Sequence, residues 1–463
     1  MYDDEWFSLS LATLPATSLR ASLINDFLHP PWVGLFDRAV ASITPSLRAL
    51  ALARLLPSLG AVWLLGLVAR RRLGVRWPVL AAFQPIVFFY AVSARWYPFL
   101  FLAQALRAWA LWGTHRARRA RLAFSLGAVL GLLSCYADLV FLPIDAAAWI
   151  ARRRSVRKKV AFSTALTFVG ALALLGIALL WFSPVLARQL PALKKSLLRH
   201  RLSPGGDAEW LATGLAGQSF FPGYVLPTIA LSLPGYAWSV VALLPKLRCR
   251  RFLIWLAAAM AGWLLVELVG TSTQPRSSLL VWFLLASALL AVLSKPGKPR
   301  FAAALSLGIL GLGLAATISL RLSLKGDLNV LPQEVCGPIA GMNADALLVV
   351  PYPRTADDLL TRCRPRPPIV SADWTAHVGA TGADELAPIR SALPGHAHVT
   401  LVTVAGEREG MTQTMEAATE LLAAKCRPEK ALSLGRDLHA DFKRRMGRSV
   451  PDYRYELRNW DCR

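Results

Sequence analysis

Apolar runs separated by short arginine-rich turns fill the first two thirds of the sequence and narrow the folds open to it. Ten such runs stand at 51–69, 77–94, 96–114, 121–137, 139–151, 160–183, 223–244, 252–270, 277–294 and 301–322. Segments of this kind cross a bilayer as helices or pair as short hairpins inside a bundle. The chain is 55% hydrophobic and only 17% charged, whereas a soluble domain is about half apolar and about a quarter charged. This excludes both an ordinary soluble enzyme and a disordered chain. The sequence therefore predicts a polytopic α-helical membrane domain of about ten helices over residues 51–322. A first outer loop at 1–50 precedes it and a smaller domain at 325–463 follows it.

The charge balance sets the orientation. Fifty-two Lys and Arg against 28 Asp and Glu leave a net +24, which in a soluble protein would point to nucleic acid. The positions of the charges argue otherwise. Arg70, Arg71, Arg72 and Arg76 follow the first run, and Arg116, Arg118, Arg119 and Arg121 follow the third. Arg152, Arg153, Arg154, Arg157, Lys158 and Lys159 follow the fifth, Lys246, Arg248, Arg250 and Arg251 the seventh, and Lys295, Lys298 and Arg300 the ninth. Turns nearly free of positive charge alternate with these five. Positive loops stay in the cytoplasm, so the N-terminal loop and everything after residue 322 lie outside. The excess of arginine is an orientation signal, and nucleic acid is not expected as a partner. One outer loop, 184–222, carries Arg188, Lys194, Lys195, Arg199 and Arg201. It reads either as an amphipathic helix snorkelling over lipid or as an electropositive wall beside a phosphorylated lipid.

After residue 325 the pattern changes to alternating strand and helix signals. Strands are expected at 346–350, 367–371 and 398–404, and helices at 355–363, 383–393 and 411–425, the signature of a small α/β domain. No CxxC spacing occurs among the six cysteines, which argues against a zinc ribbon or a thioredoxin-type motif. Cys336, Cys363, Cys426 and Cys462 all fall in this outward-facing portion, where two disulfides fit an oxidising periplasm. Three pairings are open. Cys135 falls at the edge of a run and Cys249 in a cytoplasmic loop.

Ionisable residues in or near spans are costly in hydrocarbon and become functional candidates. With this topology Arg95, Asp138, Glu267 and Arg276 all map to the outer ends of their helices, where end-of-helix charges also simply reach water. Arg107 and Asp145 lie deeper and read as a buried structural pair or as snorkelling groups, without an assigned role.

Three strings occur in a telling order: DDEWFSLSLA at residue 3, HPPWVGLFDR at 29, and RLLPSLGAVWLLGLVARRRLG at 54. They resemble the first outer loop and following span of bacterial GT-C fold glycosyltransferases of the protein O-mannosyltransferase and lipid A aminoarabinose transferase type, the dolichyl-phosphate-mannose-protein mannosyltransferase-like group. FQPIVFFYAVSARWYPFLFLAQALRAWAL resembles the family's Ala-Arg-x-Tyr segment, and a run beginning Pro275-Arg276 resembles its Arg-Tyr helix. Ser93 stands where the family often has Glu, so a carboxylate beside Arg95 is missing. The family also has a span before its acidic pair, which here begins at Asp3, so the chain is expected to lack that first span.

The resemblance implies an inverting glycosyltransferase of the inner membrane that takes a sugar from a polyprenyl-phosphate donor at the outer leaflet to a lipid, glycan or protein acceptor. Asp4 would be the base that takes the acceptor proton, with Glu5 positioning it. His29, Arg95, Tyr97 and Arg276 would bind the donor phosphate. Asp3, Asp138 and Glu267 are supporting candidates. The leaving group is already a phosphate anion, so fixed positive charge suits it better than a general acid. No cofactor and no metal site is expected, although Asp3, Asp4 and Glu5 form an acidic cluster that could alternatively hold a divalent cation. Two other classes remain open: a polytopic transporter or flippase, which should show internal repeats and midplane charges, and a non-catalytic membrane assembly protein.

Overall fold

The computed structural model describes residues 31–91, 96–114, 116–135, 138–152, 225–245, 247–269, 279–294, 301–323, 332–351, 365–372, 385–405, 409–434 and 454–462, with single positions between them. The described residues from 31 to 319 form one compact unit, and those from 320 onward another. The first is all helix. The second contains a five-stranded sheet.

In the helical unit α1 (Pro31–Ile43) leads into α2 (Leu47–Leu73), the longest helix described. Ser46 caps α2 by accepting from the Ala49 amide at 3.1 Å, and Gly74, at φ 73°, ends it by donating to the Arg70 carbonyl. That left-handed position suits glycine, which lacks the Cβ that would clash there. α2 is apolar on every side. Leu50, Ala61, Leu65 and Val68 face the interior, while Leu52, Leu56, Leu59 and Trp63 form an exposed stripe, Trp63 at 70%. An amphipathic helix of a soluble protein would carry charges along that second face. Residues 48–73 are long and apolar enough to cross a bilayer. Among the described residues this is the one helix that meets both criteria, against the ten runs expected. Shorter apolar stretches lie at Phe141–Ala151, Thr228–Leu243, Leu279–Leu293 and Ala303–Ala315.

Several expected runs have different boundaries. Residues 77–94 are not one helix: a 3₁₀ segment (Pro78–Phe83) is followed by α3 (Pro85–Ala91). Pro85 explains the break, since it lacks an amide hydrogen and disfavours helix at the preceding residue. Gln84 takes extended ψ there, and its side-chain oxygen accepts the Val87 amide at 2.9 Å to start the new helix. Residues 96–114 become α4 (Tyr97–Ala108), which loosens into a π-turn (Trp109–Gly113). α5 (Ala117–Ser134), α6 (Asp138–Arg152), α7 (Val225–Leu243), α8 (Leu247–Val269), α9 (Leu279–Leu293) and α10 (Phe301–Ser323) follow. Helices α5 and α8 reach back into the arginine clusters, so Cys249 stands in a helix rather than a loop. Hydropathy marks where side chains turn polar, whereas arginine continues a helix readily. The run at 160–183 and the basic loop 184–222 lie outside the described residues apart from Gly170 and Leu215.

α9 is the centre of the bundle, with nearly every side chain buried. Two of the arginines that follow the first apolar run bind backbone of the neighbouring segment. Arg71 Nη1 donates to the Gly113 carbonyl at 2.8 Å and Arg72 Nε to the Trp112 carbonyl at 3.0 Å, with the Arg72 guanidinium 5.3 Å from the Trp112 ring centre. The last turn of α2 thereby satisfies carbonyls that the end of the π-turn leaves open.

The sheet unit begins with α11 (Pro332–Ala340) and continues through β1 (Leu347–Val349), β2 (Ile369–Val370), α12 (Ala387–Ala392), β3 (His398–Ala405), α13 (Glu409–Ala423), β4 (Arg427–Leu434) and β5 (Arg454–Asp461). The strand order is β2-β1-β3-β5-β4, with β2, β1 and β3 parallel and β5 and β4 antiparallel to their neighbours. Side chains alternate as a pleated strand requires. Leu348, Val402 and Leu457 pack with Val335 and Ile339 of α11 on one face, and Leu347, Leu401 and Trp460 pack with Ile389 of α12 and Leu422 of α13 on the other. Of the three cysteine pairings, the fold makes Cys336–Cys363 and Cys426–Cys462. Cys135 is buried and belongs to neither disulfide. β4 and β5 lie beyond the strands the sequence led us to expect. β4 is an exposed edge whose Arg-Pro-Glu-Lys start lacks the alternation that marks a strand, a composition typical of protected edges.

Candidate functional site

The motif-bearing helices meet at one corner of the bundle. α1 begins at Pro31, where a fixed φ and a missing amide hydrogen suit the first helical position. Asp37, two turns into α1, is buried against Arg54 of α2, and both carboxylate oxygens accept from Arg54 Nη2. A charge taken out of water is retained only with such a partner. One turn further along α2, the Ser58 hydroxyl donates to the Ala91 carbonyl at 2.6 Å, at the end of α3. On the neighbouring side Phe99 of α4 stands edge-on to Phe36 at 4.8 Å and to Trp32 at 6.1 Å. The segment that follows His29-Pro30-Pro31 is thus locked both to α2 and to the helix that opens with Tyr97. Tyr97 is itself buried, its ring 4.8 Å from Tyr90 and 4.3 Å from Trp96.

A second group of charges forms a buried cluster. Arg107 of α4 is 0% exposed, and its Nη1 and Nη2 donate to the two carboxylate oxygens of Asp138 at 2.7 and 2.6 Å. Its Nε donates to Asp145 Oδ2 at 2.6 Å, and Nη1 also reaches the Gly127 carbonyl of α5 at 2.9 Å. The remaining oxygen, Asp145 Oδ1, accepts from Trp255 Nε1 of α8 at 2.8 Å. All four carboxylate oxygens therefore have a donor, as deeply buried carboxylates require. Asp138 is the first residue of α6, where the helix dipole favours a negative group, and Asp145 follows two turns later on the same side.

Two glycines of α5 admit the cluster. A Cβ on Gly131 would stand 1.9 Å from Asp138 Oδ2, and one on Gly127 would stand 2.6 Å from the Ala103 carbonyl. Gly131→Ala is accordingly expected to split the Arg107–Asp138 pair and lower the melting temperature of the purified protein. Gly308→Ala, with open space at the same position, should leave it within a degree or two. Equal melting of both variants would show that the cluster tolerates displacement.

The sequence had placed Asp138 at an outer helix end, where it could meet water. In the fold it is 0% exposed and belongs to the same cluster as Arg107 and Asp145. The legible traces were the seven-residue spacing of Asp138 and Asp145 and the four-residue spacing of Gly127 and Gly131. Glu267 stands near the C-terminal end of α8. Asp3, Asp4, Glu5, His29, Arg95 and Arg276 lie outside the described residues. No group of three or more His, Cys, Asp or Glu able to hold a metal occurs among the described residues.

No protein-family model matches the sequence, and no curated protein matches it. Among solved structures, the chain is similar to the crystal structure of ArnT from Cupriavidus metallidurans bound to undecaprenyl phosphate. The identity is 16% and the TM-score 0.41, over 98% of this chain and 96% of that one. A likeness of that strength assigns no residue a role.

Proposed function

We propose that this chain is an inverting membrane glycosyltransferase that moves a sugar from a polyprenyl-phosphate donor to a lipid, glycan or protein acceptor on the periplasmic side of the inner membrane. The observation that carries the reading is the corner where α1, α2 and α4 meet. Trp32 and Phe99, whose rings touch, stand three residues after His29 and four after Arg95. The contact joins the described segments that directly follow the two motifs, as a phosphate site shared between them requires. Membrane embedding is supported by the exposed apolar stripe of α2 and by exposed Phe301, Leu312 and Ile318 on α10, which water would not tolerate as an extended surface. The basic turns then face the cytoplasm, and the sheet unit lies in the periplasm.

In this reading the acceptor oxygen or nitrogen attacks the anomeric carbon while the bond from that carbon to the phosphate oxygen breaks. The acceptor proton passes to the Asp4 carboxylate, which Glu5 orients. The departing polyprenyl phosphate is held by Arg95 and Arg276 through guanidinium forks, with His29 and Tyr97 as further donors. A single base on the face opposite the leaving group inverts the anomeric centre. Asp138 assists at a distance, because its hold on Arg107 fixes the helix that begins at Tyr97.

The reading is tested by incubating the purified full-length protein with synthetic undecaprenyl-phosphate sugars and cell-envelope acceptors, and by comparing lipid, lipopolysaccharide and protein glycans in a deletion strain. Transfer with inverted anomeric configuration, and loss of one glycan in the deletion strain, are the expected results. An unchanged glycan profile together with no transfer would overturn it.

A further inference from the structure

We propose that the sheet unit carries a saccharide-binding cavity where α11 and the turn after it meet strands β3, β4 and β5. The cavity has a volume of about 310 Å³, at the small end of the range for ligand sites and suited to a single sugar unit. Its polar wall comes from the strands. The Thr400 hydroxyl of β3 lies directly across from Asn459 of β5 and donates to its side-chain oxygen at 2.9 Å, which fixes the orientation of that amide. His398 sits two residues before Thr400 on the same side of the pleat.

An irregularity in β4 completes the wall. Pro428 pairs with Trp460 and Ala431 with Arg458, so Glu429 and Lys430 together oppose Asn459. This is a one-residue bulge, a feature that commonly re-aims a side chain beside a binding site. It brings the Glu429 carboxylate onto the cavity wall beside Asn459. Asn343, in the turn after α11, faces them from the other side of the cavity.

The donor and acceptor set selects the ligand class. Amides, a hydroxyl, an imidazole and one carboxylate match the hydroxyls of a neutral or amino sugar, and flanking Met342, Leu432 and Leu457 offer apolar surface for its C–H faces. Among the described lining residues there is no Lys or Arg, so a phosphate or other anion would meet a carboxylate without a counter-charge. Both walls are also covalently held. Cys336–Cys363 pins α11, and Cys426–Cys462 joins the residue before β4 to the residue after β5. Holding both walls in place before the ligand arrives reduces the ordering that binding would otherwise require.

That such a sugar belongs to the acceptor rests on the glycosyltransferase reading; the binding itself does not. The test is saturation-transfer-difference NMR on the full-length protein in detergent, with methyl α-mannoside and N-acetylglucosamine as probes and glucuronate as the acidic control. Saturation transfer to at least one neutral probe is expected, reduced at least fivefold in Glu429→Gln and in Asn459→Leu. Lys430→Gln, at the other bulge position, should keep it. A free-thiol count confirms that each variant retains both disulfides. No transfer to either neutral probe, equal transfer in Glu429→Gln, or a preference for glucuronate would overturn the proposal.

Discussion

Protein carrying Asp4→Asn is expected to transfer sugar about 10²–10⁴-fold more slowly than the parent, the range a single general base contributes. Asparagine keeps the size and hydrogen-bonding reach of the side chain but does not take up the acceptor proton. The loss should therefore appear in kcat, with the KM for the polyprenyl-phosphate donor nearly unchanged. Arg95→Gln should behave differently: its guanidinium is assigned to the donor phosphate, so both donor KM and kcat should suffer. Initial rates over a range of donor concentrations, on protein whose yield and melting match the parent, distinguish the two. Asp4→Asn activity within a few fold of the parent would remove Asp4 as the base while leaving the donor site untouched.

The second large effect is on stability. Arg107→Met should destabilise the helical unit by about 3–5 kcal/mol, the usual cost of removing one partner of a buried ion pair. It leaves the carboxylates of Asp138 and Asp145 without their shared cation, in a site where Asp138 is fully buried and Asp145 nearly so. Asp138→Asn should cost more than Asp145→Asn. Asp138 takes two bonds from the guanidinium, whereas Asp145 takes one and keeps its bond from Trp255. Thermal unfolding of the purified protein checks the order. The triple change Arg107→Met, Asp138→Asn, Asp145→Asn should recover part of the loss, because no uncompensated charge then remains buried. A triple variant no more stable than Arg107→Met would show that packing around the long arginine stem, rather than charge, holds the helices.

Legibility in the sequence followed the range of the interaction. Helices α2, α7, α9 and α10 were visible as apolar runs because a helix uses local hydrogen bonds and their composition is continuous. The break at Pro85 was missed although the residue was in view, since the flanking runs are equally apolar and hydropathy does not register a missing amide hydrogen. Strand β1 was legible as a buried run, Ala346 to Val350. β4 was not, because an exposed edge strand takes its backbone bonds from β5 and has no buried face to advertise it. Of the site residues, Arg107 and Asp145 were noticed as deep charges. Their connection to Asp138 through α4, α5 and α6 was out of reach, since it depends on how three helices stack.

The order of residues is enough to show that this chain is largely apolar helix, that its arginines cluster in alternate turns, and that its acidic, His-Pro-Pro and Ala-Arg-x-Tyr motifs occur in one order. Those properties reside in composition and in neighbours along the chain. Packing of the folded chain was needed to show that Asp37 serves Arg54, that Asp138 faces Arg107 instead of water, which of three disulfide sets forms, and that a bulge brings Glu429 beside Asn459. Each joins residues distant in the chain through contacts a few ångströms long, and such contacts exist only once helices and strands have packed.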